Sequence, residues 1–201
     1  MDLAGLFIYM LVGAITPGPN NFMCLYLGAR HGLKGARRFL IGSMGSVFVK
    51  MLLCGLLNLA LASLIPGLVP YMKWLGAAYM AYLGLHILLS GIRESKNPPA
   101  EGDDIPAEKA SSYKDGILLQ ILNIKSWIYA LSIFSIYVVP YSAHFSSILL
   151  WSAIATLTLC CSSLLWVLFG TVIKNLYAKY RIPCDAVMCL SLIYCAITAI
   201  L

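Results

Sequence analysis

"GAITPGPNNFMCLYLG", residues Gly13 to Gly28, sits inside the first long apolar run of the chain. A proline in a helix interior costs about 3 kcal/mol or more, and here there are two within three residues. Pro17 and Pro19 carry no N–H, so the carbonyls of Gly13 and Ile15, four residues earlier, lose their usual partners. In hydrocarbon an unsatisfied backbone group costs several kcal/mol, and such a break survives where protein or a water-filled cavity supplies partners. Thr16 lies 13 residues past Leu3. That is about 20 Å of helix, near the middle of the membrane or just past it. A helix restarting near Pro19–Asn21 points its free N–H groups and the positive end of its dipole into the interior, where a carboxylate is stabilised. Thr16, Pro17, Gly18, Pro19, Asn20 and Asn21 therefore form a candidate binding site. A proline kink sealed by neighbouring helices is the bland alternative.

The rest of the chain supplies the membrane that this argument needs. Of its 201 residues 61% are hydrophobic and 11% charged, with a mean hydropathy of +0.86. A soluble domain is about 45–50% apolar and about 25% charged. Apolar runs fall near Leu3–Leu27, Phe39–Ile65, Val69–Ile92, Ile117–Val139, Phe145–Val172 and Pro183–Leu201. Each approaches the roughly 20 residues of a spanning helix. The expectation is an all-α polytopic membrane protein with six transmembrane helices, helix 1 broken, in one transporter domain spanning 1–201. The first run is too long for a signal peptide and lacks a basic leader, Asp2 being the only early charge.

Eleven of the fourteen basic residues fall between helices 1 and 2, 3 and 4, or 5 and 6, and Lys73 alone on the other side. The positive-inside rule then places both termini outside the cytoplasm. The +6 net charge is explained by this topology, so no nucleic-acid partner is expected. "RESKNPPAEGDDIPAEKASSY", Arg93–Tyr113, reads as a flexible cytoplasmic loop dividing residues 1–92 from 114–201. Three helices repeated in tandem must sit upside down the second time, which is the inverted-repeat layout of many secondary transporters. Pro70 and Pro183 open helices 3 and 6, and Tyr79-x-Ala81 matches Tyr194-x-Ala196.

Helix 4 carries "LLQILNIKSW", with Gln120, Asn123 and Lys125. Lys125 lies about 15 Å past Asp115, where a charge costs at least about 2.5–3.5 kcal/mol. It is expected to face a cavity or a partner, with snorkelling to the surface as the alternative. Lys50 is similarly deep in helix 2, with no polar cluster near it in sequence. Gly42–Ser46 and Gly76–Ala78 are read as close helix packing. Trp166 and Gly170 in helix 5 are candidate lining residues, with helix packing as the alternative. Asp2, Asp115 and Asp185 lie near helix ends, so no acidic relay is visible. The cysteines Cys24, Cys54, Cys160, Cys161, Cys184, Cys189 and Cys195 lack metal-ligand spacing and read as small apolar residues. No metal and no cofactor are expected.

"TPGPNN" in helix 1, "ARHGLKGARR" after it, "LGAAYMAYLGLHIL" in helix 3 and "QILNIKSW" in helix 4 together resemble the LysE family of amino-acid exporters, including its homoserine/threonine-exporter branch. The resemblance covers nearly the whole chain. Most members carry Asn-Pro-Lys where this chain has Asn123-Ile124-Lys125, which leaves open whether helix 4 breaks. Asn-Val-Lys at this place is found in the cysteine/O-acetylserine exporter branch, to which "LLWVLFG" and "IYCAI" are also similar. The resemblance implies a transporter, not an enzyme. It would expel small neutral amino acids (cysteine/O-acetylserine-like or homoserine/threonine-like) across the cytoplasmic, inner membrane. A membrane gradient would drive it, with the proton as candidate coupling ion in an antiport. Its partners would be the substrate, membrane lipid and a second copy in a homodimer. The competing readings are a membrane thiol-redox carrier and a metal-ion exporter on a similar frame.

Overall fold

Asp2 starts the first helix: its carboxylate accepts the Gly5 N–H at 2.9 Å. That helix, α1 (Leu3–Ile15), has 13 residues, about 20 Å and too short to cross a hydrocarbon core of about 30 Å. The computed structural model describes residues 2–96 and 111–200. α1 stops where Pro17 and Pro19 withhold their N–H groups, and the Thr16 N–H and hydroxyl both turn back onto the Val12 carbonyl. α2 (Pro19–Leu56) restarts at once, with Gly18 as its N-cap and a proline in its first turn, where a missing N–H goes unneeded.

Three expected boundaries shift. The basic segment after helix 1, a connection by its sequence, is helical on both sides of Gly32, whose φ of 68° breaks α2 at a single residue. Glycine takes that conformation without a Cβ penalty. The expected run Phe39–Ile65 is also divided: α2 ends at Leu56, and α3 (Asn58–Lys96) begins two residues later. Asn58 marks this turn because its amide is buried and donates to Ser135 Oγ at 3.0 Å. α3 continues through Arg93–Lys96, which had been assigned to the loop, because Glu94 is gripped by Arg30 and Arg181. The remainder of that loop, 97–110, lies outside the described residues.

After it come α4 (Tyr113–Leu122) and α5 (Ile124–Ser132), which runs on as a π-helix over Ile133–Val138. This pair is bent by 66° at Asn123. α6 (Phe145–Val172), the short α7 (Lys174–Lys179) and α8 (Arg181–Ile200) complete the order. Among the described residues there is no strand. Four helical stretches are long and apolar enough to cross a membrane, and the bent pair makes a fifth. Large apolar side chains such as Leu165, Leu190 and Val172 cover the outer surface, as expected where the solvent is lipid. The protein is a multi-pass, all-helical membrane protein.

α2 packs chiefly on α6 and α4, and α3 on α8. The α2–α6 crossing is backbone to backbone: a Cβ on Gly28 would lie 2.2 Å from the Val167 carbonyl oxygen, and one on Gly170 2.3 Å from that of Leu25. Gly42 and Gly116 do the same where α2 meets α4. The core divides into two apolar clusters, one holding Leu40, Leu119 and Val167, the other Val47, Tyr129 and Ala155. Along α2, α4–α5 and α6 the chain passes from one cluster to the other through Ser43, through Gln120 to Ser126, and through Ser162 and Ser163. A polar layer thus separates two apolar ones, and both helix breaks lie in it.

Candidate functional site

The first break frees carbonyls at the end of α1, and three side chains collect them. Asn21, at the start of α2, donates through Nδ2 to Ala14 O at 3.0 Å and Thr16 O at 3.1 Å. Ser162 on α6 donates to Ala14 O at 2.8 Å. Lys125, from the second break, donates to Thr16 O at 2.9 Å. The ammonium therefore sits on the negative end of a half-helix, where a cation is favoured. It also stands beside Gly18, the N-cap of α2, which has no side-chain cap. The N–H groups of Gly18, Asn20 and Asn21 precede the first intrahelical bond of α2, Phe22 N–H to Gly18 O, and have no intrahelical partner. A positive helix end and a lysine thus face the same space.

The second break forms without a proline. Asn123 is extended at φ −83° and ψ 96°, and its side chain caps α5 by accepting the Ser126 N–H at 3.4 Å. The Gln120 carbonyl, freed at the end of α4, accepts from Lys50 Nζ. Trp127 Nε1 takes the Ile121 carbonyl at 2.9 Å. Lys50 also donates to Ser126 Oγ at 2.8 Å and lies 5.0 Å from the Trp127 ring centroid, a cation–π contact. Only 3% of Lys50 is exposed.

The breaks are braced against each other. Asn20 Oδ1 accepts from Gln120 Nε2 at 3.1 Å and from Ser43 Oγ at 2.8 Å, while Asn20 Nδ2 donates to Ser163 Oγ at 3.0 Å. Gln120 Nε2 also donates to Ser43 Oγ at 2.9 Å. The second residue of each restarted helix, Asn20 and Lys125, thereby reaches the end of the other's first half. Gln120 Oε1 is buried and has no hydrogen-bond partner.

Two spaces meet here and share Gly13, Gly18, Asn123, Lys125 and Tyr129 in their walls. A small one of about 40 Å³ is lined by Asn20, Asn21, Gln120 and Lys125. A larger one of about 500 Å³ is lined at the breaks by Pro17, Gly18, Asn123 and Lys125, and farther along by Lys73, Cys195 and Ala199. Thr16 lines the small space and Pro19 the large one. The arrangement offers a cation and free N–H groups for an anion, and one orphan carbonyl-type acceptor for a cation.

Nine of the eleven residues singled out in the sequence come together here. Trp166 packs edge-on to Phe22 with ring centroids 6.4 Å apart, Gly170 packs on the α2 backbone at Leu25, and neither lines either space. In the sequence Lys50 has no partner, Ser43 reads as part of a close-packing stretch, and Ser126, Ser162 and Ser163 carry no sign of their role. Lone serines in apolar helices carry no signal of their own, and the partners of Lys50 lie 70 and 76 residues away. Asp185, placed near a helix end by counting, is fully buried, because α3 and α7 cover it. The thiol-carrier reading needs a cysteine at each break, and neither Thr16–Gly18 nor Asn123 supplies one. Among the described residues no three His, Cys, Asp or Glu side chains gather to hold a metal.

A family model described as LysE type translocator matches residues 11–201. Proteins named cysteine/O-acetylserine efflux protein from Escherichia coli (strain K12), E. coli O139:H28 and Shigella flexneri are each 30% identical over 195 residues. Those residues are 97% of this chain and 95% of each relative. No solved structure matches the chain.

Proposed function

The chain belongs to the family of LysE-type translocators, and from that premise we propose that it expels small neutral amino acids from the cytoplasm, with O-acetylserine and cysteine as first candidates and homoserine and threonine as the second pair. The substrate pair follows the names of the relatives. The observation that carries the reading is the meeting of two broken helices around one lysine. An amino acid is a zwitterion and needs an anion site and a cation site a few ångströms apart. Lys125 spends one of its three donors on Thr16 O, and the rest, with the α2 N-terminus, suit a carboxylate. Asn123 Oδ1 and the carbonyls of Ala14 and Thr16 are already engaged. The substrate ammonium then falls to Gln120 Oε1, the acceptor left unpaired. Trp166 takes no part in this scheme.

In this reading the six helices form two inverted three-helix repeats, with residues 1–92 and 114–201 as the halves. The reciprocal bracing of Asn20 on Gln120 and of Lys125 on Thr16 supports it, since a pseudo-two-fold would produce such a pair. The positive-inside rule places both termini outside and the 500 Å³ space on the outer side of an inner membrane. A membrane gradient drives export, with a proton moving inward, and a homodimer is the assembly. Cells loaded with a panel of labelled amino acids and tested with and without a proton gradient decide it. Gradient-dependent efflux of O-acetylserine or cysteine is expected, and no efflux of any neutral amino acid overturns the reading.

A further inference from the structure

Asp185 belongs to no part of the substrate site, yet 0% of it is exposed. Tyr177 on α7 donates its hydroxyl to Oδ1, and Oδ2 has no partner. The carboxylate lies against the backbone of α3 at Gly91, where a Cβ would come within 1.9 Å of Oδ2. The glycine makes room for the carboxyl and nothing more. Charged groups are near, but none of them forms an ion pair or a hydrogen bond with the Asp185 carboxylate. Arg30 of α2 and Arg181 of α8 both bind Glu94 of α3. Tyr26 of α2 accepts from Arg30 and meets Tyr177 edge-on, ring centroids 6.5 Å apart. His31 follows Arg30, and Cys184 precedes Asp185 on its own helix.

An ionised carboxylate buried without a cation costs several kcal/mol. A permanently neutral acid would instead leave its O–H without an acceptor at Oδ2. The surroundings satisfy neither form fully: one hydroxyl donor suits the anion, and the buried Oδ2 has no donor to satisfy it unless it carries the proton itself. Ionisable side chains inside a membrane protein are expensive and mark ion pathways.

We infer that Asp185 is the site where the transport cycle takes up and gives up its coupling proton, and that the chain Tyr177–Tyr26–Arg30–Glu94–Arg181 carries that change to the Gly32 break in α2 and to the ends of α3 and α8. Uptake converts the carboxylate to the acid at Oδ2, and release on the other face restores the anion, so no other reactant is needed. With the proton bound, Tyr177 loses its anionic acceptor, and the tie between α7 and α8 weakens. The inference rests on the exporter reading.

The test uses the full chain in proteoliposomes. Exchange of labelled for unlabelled O-acetylserine at equal pH needs no net proton movement. Accumulation into acidic vesicles does. The wild type is expected to do both, and a wild type that does neither overturns the exporter reading rather than this one. Asp185→Asn keeps the shape and removes the titratable group. It is expected to retain exchange and to lose gradient-driven accumulation down to the level of vesicles without a gradient. Gradient-driven accumulation by an intact D185N protein overturns the proposal, as does loss of exchange in a variant that assembles normally. If D185N does not assemble, Tyr177→Phe decides: it is expected to move the pH profile of accumulation, and an unmoved profile overturns the proposal.

Discussion

The break at Thr16–Gly18 has two prolines around a glycine, and the break at Asn123 has none. Both interrupt a helix at the same polar layer, and both leave carbonyls that no helical backbone N–H reaches. Each has a lysine on a freed carbonyl, Lys125 on Thr16 and Lys50 on Gln120. Each also has an asparagine at its restart: Asn21 collects Ala14 and Thr16, and Asn123 caps Ser126. Prolines thus make a break obligatory, but side chains that take over the orphaned groups make it affordable. The two lysines differ in one respect. Lys125 is exposed to the cavity, whereas Lys50 is sealed between Ser126, Gln120 and the Trp127 ring. One is available to a ligand and the other is structural.

That contrast can be broken, beginning with the largest effect. Lys125→Ala should reduce export at least about tenfold, the loss of one charge-assisted contact, while the protein still inserts and keeps its thermal midpoint within a few degrees. Undiminished efflux from loaded cells would remove Lys125 from the site. Lys50→Met should act on stability. It leaves the buried Gln120 carbonyl unpaired, at about 1–3 kcal/mol, and each kcal/mol lowers the midpoint by about 2–4 °C. A thermal melt in detergent reads this, and an unchanged midpoint would mean the second break does not need its lysine. The smallest effect is expected from Ile124→Pro. Ile124 is the first residue of α5, where proline is tolerated, and Asn123 already has the extended backbone that a following proline demands. Stability and export should stay near wild type, and a collapse of either would show that the two breaks are not built alike.

The sequence made the first break legible because two prolines and two asparagines in an apolar run admit few readings. Lys125 was legible because a charge at mid-depth is costly. The second break was not, since an extended Asn123 depends on Lys50 and Trp127 relieving the carbonyls of α4, contacts that no local pattern announces. Gly32 was hidden for a related reason: a basic stretch reads as a loop, although one residue of positive φ suffices to turn the chain. Asn58 lies inside the apolar run Phe39–Ile65, and only its bond to Ser135, 77 residues away, marks it as the turn. Asp185 was dismissed by counting residues to a helix end, a count that ignores the covering by α3 and α7.

The account's central claim is that substrate binds where the two breaks meet, and Cys195 offers a direct reading of it, because it lines the same 500 Å³ space as Lys125 and Gly18. With Cys195 as the sole cysteine, the rate of its alkylation by a maleimide is measured with and without O-acetylserine. The account predicts that the amino acid slows labelling and that Lys125→Ala abolishes the protection. Labelling unaffected by substrate, or protected equally in the K125A protein, would contradict it.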